Sequence, residues 1–85
     1  MEGDVDPKDA ARWDAVDEAT ELLREERFND ALIALRDVIK ADPENAYAFH
    51  FLGVALFEVG EIAPARDAYR AALRFAPRHL GARVA

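Results

Sequence analysis

An all-α chain of paired helices is the fold class this sequence predicts, and three observations carry the prediction. Apolar and small residues recur at three- and four-residue steps, the spacing that lines one face of a helix. Alanine, leucine, arginine and glutamate dominate while β-branched residues are thin, a composition of good helix formers. Prolines and glycines fall between the periodic stretches and leave short connectors, as antiparallel helical hairpins require.

The first helix opens at Asp6-Pro7, where an oxygen can cap the leading amides and proline follows at a position whose amide is not needed. From there to about Arg27, Ala11, Ala15, Ala19, Leu22 and Leu23 recur at helical spacing, and Trp13 and Val16 widen the stripe. Phe28 and Asn29 break the pattern, with Asn29 or Asp30 placed to cap a second helix. That helix carries Ala31, Leu32, Leu35, Val38 and Ile39 and ends before Pro43. Asn45 can cap a third, which contains "FHFLGVALFEVG" over residues 49–60 and stops near Val59 and Gly60. The fourth runs from about Ala63 to Ala76, tolerates Pro64 in its first turn and is stopped by Pro77.

Punctuation and sequence both repeat. Pro43 and Pro77 stand 34 residues apart, as do Ala31 and Ala65, Ala34 and Ala68, Arg36 and Arg70, and Leu22 and Leu56. Similar residues recur at the same offset: Trp13 with Tyr47, Ala19 with Gly53, Phe28 with Ile62, Ile39 with Leu73. The spacing predicts one domain over residues 1–85 built from an internal repeat, residues 12–45 and 46–79. An acidic lead over 1–11 extends the first helix, and 80–85 form a tail, a short C-terminal stub after four main helices.

On these residues the chain resembles the tetratricopeptide repeat family, whose unit is a 34-residue helix–turn–helix. The second unit carries the resemblance in Phe49, Leu52-Gly53, Ala65, Tyr69, Ala72 and Pro77, with Leu56 in place of the usual tyrosine. The first unit carries it through Ala31, Leu35, Val38 and Pro43, but has Ala15 for the bulky aromatic and Glu18 for the leucine. The resemblance implies a right-handed superhelical stack of two hairpins. It also implies why Gly53 interrupts an apolar helix: paired helices would approach most closely there, with Gly53 facing Ala65.

What the resemblance implies for function is a protein–protein interaction module, an adaptor or scaffold. Its concave groove would hold an apolar peptide or helix of a partner against Trp13, Val16, Thr20, Tyr47, His50, Phe51, Val54 and Phe57. This face is too apolar for a clamp on acidic C-terminal tails. An alternative is a self-assembling building block, since arrays usually want three or more units and polar ends. Ile62, Tyr69, Leu73 and Phe75 on the last helix would then be the self-association surface of a homo-oligomer. A small secretion chaperone combines the two readings.

Charge bounds the partners. The chain carries a net charge of −6, which argues against nucleic acid, because that binding rests first on neutralising phosphates. Residues 1–30 hold eleven acids against four bases, and residues 62–85 hold five arginines against one acid. The acidic head of one copy could meet the basic tail of another, or a symmetric dimer could seal the final helices. Arg66, Arg70 and Arg74 stand at four-residue steps, either a docking stripe or a solvated face suited to a helix C-terminus.

The absence of cysteine excludes thiol chemistry. No apolar stretch reaches the roughly 20 residues of a membrane span, and no basic-then-apolar leader is present, so a cytoplasmic location is expected. Two histidines, His50 and His79, do not make a metal site, which wants three or four ligands. No catalytic constellation, phosphate loop or cofactor motif is found, so the expectation is a protein that is not an enzyme and needs no cofactor or metal.

Overall fold

The structure, a computed structural model, describes residues 7–76. Helices α1 (Pro7–Ala15), α2 (Asp17–Arg24), α3 (Phe28–Ala41), α4 (Ala46–Glu58) and α5 (Ile62–Phe75) follow one another with short turns. Helix α2 packs against α3 and α4 against α5; α4 also lies on α3 and touches both α1 and α2. Asp6, Pro77 and the tail lie outside the described residues, as does His79.

The expected first helix is present in two segments, and the reason for the break is visible. At Val16 the amide donates to the Trp13 carbonyl at 3.2 Å, one residue tighter than α-helical register. The Arg12 carbonyl instead accepts from Asn45 Nδ2 at 3.0 Å. A side chain that enters the backbone ladder in this way bends a helix. Val16 thereby turns into the core, where only 1% of its surface stays exposed.

The halves repeat in backbone detail. Helices α3 and α5 are each 14 residues long and begin 34 residues apart, at Phe28 and Ile62. At the end of α2, Arg27 N–H donates to the Leu22 carbonyl at 2.9 Å and Glu26 N–H to that of Leu23 at 3.0 Å. At the end of α4, Glu61 N–H donates to Leu56 at 2.8 Å and Gly60 N–H to Phe57 at 3.0 Å. Both are Schellman turns, which need a left-handed residue just past the helix. Gly60 takes that conformation at φ 88° and Glu26 at φ 62°.

Two buried clusters hold the hairpins together. Val16, Ala19, Leu35, Tyr47 and Ala48 form one, joining α2, α3 and α4; Leu32, Ala55, Leu56, Ala65 and Ala68 form the other, joining α3, α4 and α5. Leu52 packs against both. Small residues dominate because helix axes meet closely in nested hairpins, and each alanine leaves room for a larger neighbour.

Gly53 marks a close approach between helices, but the side chain nearest to it is not Ala65. A Cβ placed on Gly53 would lie 2.7 Å from two carbons of the Tyr69 ring and 2.9 Å from a third. In the first half the corresponding pair is Ala19 and Leu35, packed in one cluster. The second half has exchanged a smaller residue for a larger ring.

Candidate functional site

Helices α1 and α2 on one side and α4 on the other enclose an open groove of about 570 Å³. Its lining is Trp13, Asp17, Thr20, Leu23, Arg24, Phe51 and Val54. Trp13 stands at its mouth, 49% exposed. Its ring meets Tyr47 edge-on, with centroids 4.8 Å apart, and Phe51 at 6.1 Å. Thr20 turns its hydroxyl back to the Asp17 carbonyl at 2.8 Å, which leaves its methyl as the surface it can offer. Arg24 and Asp17 form a charged rim around apolar walls, and Arg24 is paired with Glu21 at 2.7 Å.

Of the eight residues expected to line a groove, the structure brings Trp13, Thr20, Phe51 and Val54 together around it. Val16 and Tyr47 are buried beneath, at 1% and 6% exposure, and present almost no surface to a ligand. His50 turns toward α5, between the rings of Phe51 at 5.0 Å and Tyr69 at 5.8 Å. Phe57 is exposed but outside the lining. Asp17, on the rim, carries no apolar signal that would mark it in the sequence.

Tyr47 is buried for a reason the sequence hides. Its hydroxyl donates to the Asp9 carboxylate at 2.9 Å, which fastens α1 onto α4. Beside it, Arg12 makes a two-pronged ion pair with Asp42, and the guanidinium holds the Asp42 carboxyl below its usual pKa. Asn45, fully buried, completes the joint: its Nδ2 serves the Arg12 carbonyl while its Oδ1 caps α4 by accepting from Ala48 N–H at 3.2 Å. The groove walls are therefore held at one end by a polar clamp.

The residues expected to mediate self-association divide. Ile62 and Leu73 are exposed, at 48% and 51%. Tyr69 lies half-buried over Gly53, and that burial, with the Glu58 carboxylate, raises its phenol pKa. Phe75 is also exposed, at 40%, but lies on another flank of α5, stacked on Phe49 with centroids 5.8 Å apart. A second hollow, about 510 Å³, opens in the first hairpin over Ala11, Ala15, Ala34, Val38 and Ala41. Ala15 and Ala41 stand 34 residues before Phe49 and Phe75, so the hollow occupies the place that the stacked ring pair fills in the second hairpin.

Among the described residues, no group of three or more His, Cys, Asp or Glu is placed to hold a metal ion. No helix among them is long and apolar enough to cross a membrane.

A family model described as a tetratricopeptide repeat matches residues 16–79. Comparison with curated proteins and with solved structures finds no match.

Proposed function

The chain belongs to the tetratricopeptide repeat family, and from that premise we propose that it is a non-enzymatic adaptor whose α1–α2/α4 groove binds an apolar helix or peptide of a partner protein. Repeats of this family are protein–protein interaction modules. The observation that supports the finer reading is the groove's lining: Trp13, Leu23, Phe51 and Val54 form apolar walls, and charge is confined to Asp17 and Arg24. Such a surface suits an amphipathic helix, which lays an apolar stripe into a groove and leaves its charges at the rim. A half-exposed tryptophan at the mouth is the kind of anchor on which binding energy concentrates.

Selection from a displayed library of helical peptides tests the proposal. Wild-type protein should enrich peptides with one apolar stripe, and Val54→Asp should weaken the selected peptides at least tenfold while leaving the helical circular dichroism unchanged. Peptides that bind the Val54→Asp and Trp13→Ala variants as tightly as the wild type would contradict it.

A further inference from the structure

The two halves place equivalent residues in opposite circumstances. In the first half Val16, Leu23, Leu32, Leu35 and Ile39 form a surface that packs within the clusters holding α4 and α5; Val16, Leu32 and Leu35 are buried and the other two half-buried. Their counterparts 34 residues on are His50, Phe57, Arg66, Tyr69 and Leu73. Of these, Phe57, Arg66 and Leu73 are exposed, and His50 and Tyr69 are half-buried. This second surface shares no residue with the lining of the Trp13 groove.

We propose that this open end, formed by Phe57, Arg66, Tyr69 and Leu73, is a second docking site that takes a helix of another protein. That helix carries small and apolar residues along one stripe, as α4 does, and a carboxylate opposite Arg66. The inference is independent of the groove reading. The internal joint is the template: α4 sits on the first half through Ala48, Phe51, Leu52 and Ala55. One difference fixes the partner's charge. Leu32 shares its cluster with Ala55, whereas the counterpart of Leu32 is Arg66. Arg66, Arg70 and Arg74 make no ion pair among the described residues. An acid at the partner's Ala55-like position therefore meets a cation whose charge is otherwise unanswered.

A second copy fits poorly. Continuing the stack with another copy in the same register would set Glu21, at the Ala55-like position, opposite Arg66, but it would also bring Asp14, Asp17 and Glu18, the counterparts of Ala48, Phe51 and Leu52, against Tyr69 and Leu73. Burying carboxylates on apolar surface is unfavourable unless each is paired. A symmetric end-to-end dimer would set Arg66 and Arg70 against their own copies, and like charges disfavour that arrangement.

The test uses the intact protein and a helix-stapled 13-residue peptide with the sequence of residues 46–58, changed at Ala55→Glu. Titration into isotope-labelled protein should shift the amide signals of Ile62, Arg66, Tyr69 and Leu73. Leu73→Asp should weaken binding at least tenfold and Trp13→Ala less than twofold. Arg66→Glu should weaken the glutamate peptide tenfold and recover with an Ala55→Lys peptide. Absence of binding, shifts confined to the Trp13 groove, or indifference to the charge swap would overturn the proposal. So would a wild-type oligomer in sedimentation that Leu73→Asp dissolves, since a second copy would then be the occupant.

Discussion

Gly53 and Tyr69 act as a matched pair, and so do Ala19 and Leu35. A Cβ at Gly53 would fall within 3 Å of three Tyr69 ring atoms, closer than packed carbons allow. Overpacking of this kind costs about 1–3 kcal/mol, against a gain of about 1 kcal/mol from replacing glycine inside a helix. Gly53→Ala should therefore lower stability, and Gly53→Leu should lower it much further. With Tyr69→Leu, which restores the first half's pairing, the same Gly53→Ala change should become neutral or stabilising. Denaturant midpoints of the four proteins in that cycle measure the coupling. Glu26 gives the opposite case. It holds a left-handed φ of 62° where the second half has glycine, so Glu26→Gly should raise stability by about 1 kcal/mol. His50 adds a pH dependence. Burial lowers its pKa below the ordinary value of 6.5, so the folded state favours the neutral ring. The associated stability is complete above pH 6.5 and is lost as pH falls from there through the folded pKa. His50→Leu should flatten the decline in the urea midpoint between pH 7 and 5. An equally steep decline in that variant would assign the effect to other groups.

At the scale of elements, the joint between α1 and α4 decides whether the groove keeps its shape. Asn45→Ala removes an N-cap, worth about 1 kcal/mol. It also leaves the Arg12 carbonyl without its donor, a further loss of about 1–3 kcal/mol where water cannot replace it. Thermal unfolding should show a combined loss near the sum, and Asn45→Asp should recover only the capping part. The hollow over Ala15 and Ala41 makes the converse prediction. Ala15→Phe with Ala41→Phe rebuilds the Phe49–Phe75 stack and should stabilise the first hairpin by about 0.5–2 kcal/mol, as cavity filling commonly does. No gain in melting temperature would show that the hollow is not equivalent to the filled site. These elements also show what could be read beforehand. Pro43, Asn45 and Gly60 mark local backbone demands, so helix boundaries follow from them directly. The break at Val16 could not be read, because its cause lies 29 residues away in the Asn45 amide. Glu26 was equally silent, since a left-handed glutamate leaves no trace in composition.

Across the whole molecule, the two halves share backbone turns and helix lengths but differ in what they leave open. The 34-residue offset predicts the shared part because each half solves the same packing problem with matched small residues. It predicts the groove less completely: periodicity assigns a face to Trp13, Thr20, Phe51 and Val54, yet the same face includes Tyr47, which α1 covers through Asp9 and Trp13, and Val16, which is buried in the cluster with Leu35 and Ala48. Charge is divided as well, acids at the head and arginines on α5, so the two ends of the stack offer different chemistry to partners. The sole tryptophan stands at the groove mouth, which makes the binding claim directly measurable. Titrating a peptide selected on the wild-type protein while recording Trp13 emission should give a saturable blue shift with the same dissociation constant as binding itself. Saturated binding that leaves the Trp13 emission unmoved would contradict it.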